Sequence, residues 1–231
     1  MLEKAFQTLK KLDYGDDIGP LAELDDVIAQ TKNDEKTRAA VEQGLLQILK
    51  SDATVNGKDY ACRKLKVVGG DAAVPVLAAM LSDKRLAHMA RYALESMPSD
   101  AAGKALLDAL GSLTGKLKAG VIGSLGVRQE NGAVATLSTL LSDKDAVVAK
   151  AAAGALGAIR SKDAAQALSH AKPNADAVPL AIDSSLACAE SVLADGDKAT
   201  ALMVYQQLMK GDPPKHVKVA ATKGILNCRK S

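Results

Sequence analysis

The sequence predicts an all-α fold arranged as a solenoid, in which similar helix pairs stack one after another. Three observations support this prediction. Leucines recur at a fixed spacing, the composition favours helices over strands, and the same short break interrupts successive copies. Together these patterns indicate a helical solenoid. This architecture is the main information that the sequence gives about function.

Four pairs of leucines recur along the chain, and the two members of each pair are always 12 residues apart. Successive pairs advance by 29, 31 and 31 residues. The pairs are Leu65/Leu77, Leu94/Leu106, Leu125/Leu137 and Leu156/Leu168. A fixed period of this length is typical of stacked copies of one structural unit. We place the first leucine late in the second helix (B) of one copy and the second in the first helix (A) of the next. Each pair should therefore form the contact between copies.

The composition explains why the copies should be helical. Hydrophobic residues make up 48% of the 231 residues, but aromatic residues only 2%, and there is no Trp. The core must therefore be built from Ala, Leu, Val, Ile and Met. Ala has the highest helix propensity, whereas strands favour aromatic and β-branched residues. The composition thus favours an all-α fold.

Each copy is predicted to contain helix A, a turn and helix B. The tetrapeptide Leu-Ser-Asp-Lys separates two amphipathic runs at 81–84 and again at 141–144. Its Ser and Asp should cap helix B, because their oxygens can accept hydrogen bonds from the free N–H groups. Small or compact residues lie four positions before each B-helix leucine: Ala61, Ala90, Val121 and Ala152. We expect close packing there, and also at the glycines that follow the same period: Gly123, Gly126, Gly154 and Gly157.

The predicted elements follow in order along the chain. Residues 1–52 are less regular, with helices expected at 1–11, 17–31 and 34–50. A B helix at 54–69 follows, and then helix pairs at 71–97, 99–127, 131–159, 161–195 and 197–229. Pro173 and Pro179 predict a longer loop before a helix at 178–194, and Pro213-Pro214 should open the last helix. We therefore divide the chain into an N-terminal helical cap, 1–52, and one continuous repeat array, 53–231.

Residues 141–157, LSDKDAVVAKAAAGALG, resemble HEAT repeats, and in particular the short bacterial type related to the phycobilisome-lyase repeats. Asp143, Asp145 and Val148 match the pattern L-x-D-x-D-x-x-V-R-x-A-A-x-x-A-L-G, but Ala149 stands where that pattern has Arg. The resemblance covers about 54–230. It implies a right-handed superhelix of about five to six HEAT-type helix pairs. An Arg–Asp ladder between repeats is not expected, because the Arg is missing.

The resemblance also implies a function. HEAT arrays commonly act as non-catalytic protein-interaction or scaffolding modules, with one helix layer, typically the B helices, lining a concave surface. We therefore predict an unidentified protein partner, no catalytic residues, no cofactor and no metal. The candidate partner contacts are charged residues expected to be exposed on the B helices: Arg63, His88, Arg91, Lys118 and Lys150.

The two ends of the chain carry opposite charge. Residues 1–36 contain five Lys and nine acidic residues, a net charge of −4, whereas residues 198–231 have a net charge of +6. Solvated terminal faces explain this pattern, but two different partner surfaces or end-to-end association would also fit. Lys215, Lys218 and Lys223 form a candidate basic terminal face that could meet phosphates.

Two alternative functions remain open. Some DNA glycosylases have HEAT-like folds, but this chain has no Trp, and its middle part, 37–197, has a net charge of only +1. Nucleic-acid binding is therefore a weaker prediction. A bilin lyase-like enzyme is the second alternative, although few aromatic residues are available to line a tetrapyrrole pocket. The His-Glu dipeptide of HEAT-like di-iron hydroxylases does not occur.

Two further residue groups have simple explanations. Asp13, Asp16 and Asp17 lack the length and the closing Glu of a calcium loop, so a turn is expected. Cys62, Cys188 and Cys228 are far apart and form no disulfide framework; Cys62 and Cys188 should be buried free thiols, with a Cys188–Cys228 bridge left open for an oxidising compartment.

The sequence leaves the compartment open. No stretch reaches the ~18 apolar residues expected of a membrane-spanning helix, and the N-terminus has no continuous apolar leader core. We therefore expect a soluble chain without membrane insertion, cytoplasmic as given, and periplasmic or secreted if a leader was removed. Additional domains in a parent protein are compatible with this expectation.

Overall fold

The computed structural model describes residues 2–210 and 213–229. Over this part of the chain the secondary structure consists of fourteen α-helices, short 3-10 segments and turns, without strands. The all-α prediction is therefore confirmed. The chain divides into two compact units, Met1–Leu113 and Thr114–Ser231, which are described in turn.

The first unit contains seven helices. They are α1 Leu2–Lys11, α2 Ala22–Gln30, α3 Glu35–Lys50, α4 Val55–Val68, α5 Val74–Ala79, α6 Ala87–Ser96 and α7 Asp100–Ala109. Helices α4 and α6 are B helices that pack side by side, and α5 packs against α7 in the A layer. Helix α3 packs along α4. Helices α1 and α2 contact both α3 and α4.

The second unit repeats this arrangement. Its helices are α8 Gly115–Val127, α9 Val134–Leu140, α10 Ala146–Ile159, α11 Lys162–His170, α12 Val178–Ala194, α13 Lys198–Leu208 and α14 Lys215–Arg229. The B helices α8, α10, α12 and α14 pack in sequence, and the A helices α9, α11 and α13 form the second layer. Prolines mark the start of α12 as predicted, and Pro213-Pro214 precedes α14.

The recurring leucines are the core of these layers. All eight members of the four pairs are buried. The first of each pair lies in a B helix and the second in the following A helix, as predicted. Burying a leucine side chain contributes about 1.5–3 kcal/mol. The leucine register is therefore also the register of the hydrophobic core.

The register continues beyond Leu168, the last leucine of the four pairs. In α12 the leucine position is taken by Cys188, which is fully buried and whose Sγ lies 3.5 Å from the carbonyl oxygen of Leu156. A free buried Cys behaves as a small hydrophobe, so it fills this position. All three cysteines are free and buried, which confirms the prediction for Cys62 and Cys188 and leaves the alternative Cys188–Cys228 bridge unformed.

The B-helix glycines fall into two kinds. A Cβ added to Gly126 would lie 2.9 Å from the Cα of Ala155 on α10, and a Cβ added to Gly157 would lie 2.5 Å from the Oγ of Ser184 on α12. Adjacent backbones therefore approach too closely for a side chain. The packing prediction is wrong for Gly123, whose added Cβ would meet no atom within 4 Å, because it lies on the outer side of α8. An added Cβ on Gly154 would make only an ordinary contact with Leu180.

The two breaks before helix B differ in their caps. Asp145, which follows the tetrapeptide, caps α10 because its Oδ1 accepts a hydrogen bond from the N–H of Val147, whereas Asp143 accepts one from the N–H of Asp145. Helix α6 has no side-chain cap, and Oδ1 of Asp83 accepts hydrogen bonds from the N–H groups of Arg85 and Leu86 in the turn before it. The hydroxyl of Ser142 donates to the carbonyl oxygen of Thr139 behind it instead. The expectation that this Ser caps helix B is therefore wrong, because its hydroxyl is already used by the preceding helix.

Polar contacts connect the starts of A helices in neighbouring copies. Ser99 begins α7 and donates a hydrogen bond to Asp71, which begins the preceding A segment. Ser161 begins α11 and donates to Oδ1 of Asn131 over 2.5 Å. These contacts link successive copies at the starts of their A helices. Ala149, at the place of the missing Arg, is fully buried.

Helix α12, counted with the turn before it as Ala175–Ala194, is long and apolar enough to cross a membrane by length and composition. The sequence analysis expected no stretch of this kind. The helix carries Asp183 and Glu190 and packs against α10, α11 and α13. In this packing, 39% of the apolar stretch is buried.

The two kinds of glycine give a matched test of the close approach. Gly126→Ala should lower the free energy of unfolding by about 1–2 kcal/mol, because the new methyl group overpacks the contact with α10. Gly123→Ala, three residues away on the same helix, should raise it by up to about 1 kcal/mol through helix propensity. Urea unfolding followed by circular dichroism measures both. Equal effects of the two substitutions would contradict the close approach.

An ion pair between A helices predicts a pH dependence. The pKa of Asp197 is lowered from its ordinary 3.8 to about 2, first by the hydrogen bond from Lys162 and then by those from Thr200. The Lys162 Nζ to Asp197 Oδ2 distance is 2.9 Å. Since the folded state binds fewer protons than the unfolded chain in this window, stability is fully present above pH 3.8 and is lost as the pH falls towards 2.

Asp197→Asn separates this effect from other acid groups. The amide oxygen can still cap α13, but the charge is gone. The variant should be less stable than the wild type at neutral pH, and the difference should disappear as the pH approaches about 2. Urea titrations at several pH values measure it. A difference between the two proteins that stays constant with pH would show that the carboxylate contributes only as a cap.

Candidate partner-binding surface

In the first unit, the outer side of α4 presents a charged residue that is held in place. Arg63 is exposed and pairs with Asp59 one turn earlier, with 2.7 Å between its Nη2 and the Asp59 Oδ2. The hydrogen bond and the charge of Asp59 raise the pKa of Arg63. One side of the guanidinium is therefore fixed, while the side chain as a whole remains accessible to a partner.

Tyr92 lies at the corresponding place on α6, two residues before its leucine, as Arg63 is two residues before Leu65. Its ring is 39% exposed. The Nζ of Lys66 donates a hydrogen bond to the Tyr92 hydroxyl over 3.1 Å and lies 4.2 Å from the ring centroid. An exposed aromatic ring is thus held beside Arg63. The sequence analysis did not select Tyr92, although its place in the repeat was a usable signal.

Tyr60 has a structural role nearby. Its hydroxyl donates to Asp25 Oδ1 over 2.7 Å, and Lys64 pairs with the same oxygen at 2.7 Å. Burial, followed by the hydrogen bond to Asp25, raises the pKa of Tyr60. These contacts connect α2 to α4 and hold the two helices together.

His88 and Arg91 on α6 differ from each other. His88 is exposed as predicted. The side chain of Arg91 is only 20% exposed, lies 3.4 Å from the His88 Nδ1 and reaches Glu95 at 4.0 Å. The expectation that Arg91 is exposed is therefore wrong. It stands three residues before its leucine, a position that is buried in other B helices, for example at Cys62.

The exposed side of the B layer in the second unit carries fewer large and charged side chains. Lys150 is exposed and Lys118 is half-buried, and neither forms an ion pair within residues 114–210 and 213–229. Around them the outer sides of α8 and α10 carry small or apolar residues: Gly123, Val127, Val147, Gly154 and Ala158. At the C-terminal end, all three predicted basic residues of α14 are exposed: Lys215, Lys218 and Lys223.

Two of the cavities in the described residues, one in each unit, are enclosed by side chains whose contacts explain them. The first, of about 560 Å³, has charged walls, but Arg38 donates to the carbonyl of Val68 and Glu42 accepts from the N–H of Gly70. These charges hold the end of α4. The second, of about 150 Å³, lies between α11, α12 and α13, and the residues that line it include no titratable group. Neither arrangement resembles an acid–base site.

The described residues offer little for metal or thiol chemistry. In residues 2–210 and 213–229, no three His, Cys, Asp or Glu side chains are grouped to hold a metal ion. Burial raises the pKa of Cys62 to about 12 and that of Cys188 to about 11. Since the thiolate is the reactive form, both thiols are poor nucleophiles near neutral pH.

Residues 103–187 match the family model of HEAT repeats. This part of the chain therefore consists of HEAT repeats. The match includes the segment 141–157 that carried the resemblance in the sequence, as well as Lys118 and Lys150. Arg63, His88 and Arg91 lie outside it. The narrower similarity to phycobilisome-lyase repeats stays a prediction. No curated protein matches the chain. HEAT repeats generally mediate protein–protein interaction, which agrees with a B layer that exposes Tyr92 and Arg63.

Proposed function

We propose that this HEAT-repeat chain is a non-catalytic protein-interaction or scaffolding module that holds a protein partner against its B helices. The observation that carries the proposal is Tyr92, whose ring is exposed and held by Lys66 beside Arg63. Tyr and Arg are enriched among the residues that dominate binding energy at protein interfaces.

The fixed geometry of these side chains favours binding. Binding a partner costs side-chain entropy, and this cost is smaller where a side chain is already immobilised. Lys66 restrains the ring of Tyr92 and Asp59 restrains Arg63, so both are ordered before a partner arrives. A partner segment with an apolar side chain and a carboxylate would complement this pair.

The other candidate residues have different roles in the proposal. His88 in the first unit, and Lys118 and Lys150 in the second, remain proposed contacts with the partner. Arg91 becomes a positioning residue, because its guanidinium lies against His88 and is largely buried. We also keep the interpretation of residues 53–231 as one repeat array with a cap at 1–52.

A photo-crosslinking amino acid tests which layer binds the partner. Placed at position 92 in cells of the native source, it should yield a discrete crosslinked product. At position 104, an exposed place on the A helix α7 of the same unit, it should yield none. Equal products from both positions would contradict binding by the B layer.

Affinity measurements on the captured partner follow. Tyr92→Ala should weaken binding by about 2 kcal/mol, roughly thirtyfold. Tyr92→Phe keeps the ring and should weaken binding much less, and Lys104→Ala should have no effect. Binding of duplex or single-stranded DNA with a steep salt dependence, or a visible absorbance change with a bilin, would instead favour one of the alternative functions.

A further inference from the structure

Helix α14 presents an apolar stripe that no described residue covers. Its buried side is formed by Val217, Ala221, Gly224 and Cys228. On the opposite side Val219 is 62% exposed and Leu226 is 56% exposed. These two residues are seven apart, so they lie on one face, separated by about 10 Å along the helix. Exposed large apolar residues grouped in this way are typical of a docking surface.

Basic side chains flank this stripe. Lys215, Lys223 and Arg229 are exposed, and none of them forms an ion pair within residues 2–210 and 213–229. On the same helix, Nε2 of His216 lies 3.8 Å from Oδ1 of Asp183. The outer face of α14 therefore suits a segment that offers apolar side chains together with carboxylates.

The loop between α1 and α2 has this composition. Tyr14 is 98% exposed and Ile18 is 63% exposed, and Asp13, Asp16 and Asp17 lie exposed around them. Four of the six most exposed large hydrophobic residues in the described chain lie in this loop and on α14. A four-residue separation can span at most ~14 Å, so Tyr14 and Ile18 can reach Val219 and Leu226 together.

The loop is also ordered in advance. Oδ2 of Asp16 accepts a hydrogen bond from the N–H of Asp13 over 2.7 Å, and Oδ1 of Asp17 accepts one from that of Gly19 over 2.8 Å. The amide of Asn56 donates to Asp13 Oδ1 over 2.9 Å, which fixes the loop to α4. Less entropy is therefore lost when such a loop binds.

We propose that two copies of this chain associate head to tail, with the loop 13–18 of one copy on the outer face of α14 of another. The net charge of −4 in residues 1–36 and of +6 in residues 198–231 favours this orientation over the like-charged alternatives. The interface is heterologous, so each dimer keeps one free loop and one free α14 face. Assembly therefore continues with rising concentration rather than stopping at a dimer.

Sedimentation velocity of the full chain over a range of concentrations tests the association. At low ionic strength the average mass should rise with concentration, and at about 1 M NaCl the rise should be strongly reduced, because the charges are screened over about 3 Å. A monomer at every concentration overturns the proposal, including the case in which the loop folds back on its own chain. Association that is insensitive to salt also overturns it.

Two charge-reversal variants identify the surfaces. The triple variant Lys215→Glu, Lys223→Glu and Arg229→Glu, and the double variant Asp16→Lys and Asp17→Lys, should each raise the half-association concentration about tenfold or more. The matched control Lys84→Glu, Lys144→Glu and Lys172→Glu changes the same total charge on exposed turns and should retain association. Loss of association in this control would show a net-charge effect and overturn the proposal.

Sedimentation of a mixture of the two charge-reversal variants tests whether the loop and α14 bind each other. Each variant alone opposes like charges, but the loop of either can pair with the oppositely charged α14 of the other, so the mixture should regain association. This rescue also shows that both variants are folded. No rescue from two variants with wild-type circular dichroism overturns the proposal. Tyr14→Ser with Ile18→Ser should weaken association; if it leaves association unchanged, α14 binds another occupant.

Discussion

Close packing between neighbouring B helices is the constraint on which the rest of the structure depends. In the second unit, α8 meets α10 at Gly126 and α10 meets α12 at Gly157, and at neither place is there room for a methyl group. This approach brings the buried leucines of neighbouring copies together and fixes the distance at which the next A helix must lie. The polar contacts at the starts of the A helices follow from the same spacing.

The same packing determines which surface is available to a partner. With the inner sides of the B helices committed to glycine, alanine and leucine, only the residues on their outer sides are free to vary. In the second unit these are small or apolar, with Lys150 standing among them. In the first unit they include Tyr92 and Arg63, each held by a neighbouring charge. Binding chemistry can therefore differ between copies while the core repeats.

Much of the fold could be predicted from the sequence because helical periodicity and the leucine spacing both report on burial. The loop before α12, the leucine burial and the starts of most helices were predicted correctly. Periodicity gives the side of a helix but not the distance to its neighbour. Gly123 and Gly126 therefore looked alike, and Cys188 was not recognised in a leucine position. The contact between Ser161 and Asn131 spans 30 residues and depends on the stacking itself.

The surface was less predictable, since a charge on a helix carries no information about its partners. Arg63 and His88 are exposed as expected, but Arg91 turns inwards to His88 and Glu95. Tyr92 is a candidate partner contact because Lys66 holds its ring in place, and this contact is visible only in the structure.

Native-state hydrogen exchange tests the central claim, that close B-helix packing holds the repeats together, most directly. In the second unit, the amides of α8 and α10 around Gly126 and Gly157 should be the slowest to exchange and should exchange together, as expected for one cooperative unit. Faster exchange in these helices than in the A helices α9 and α11 would contradict the claim and would place the stabilising contacts in the other layer.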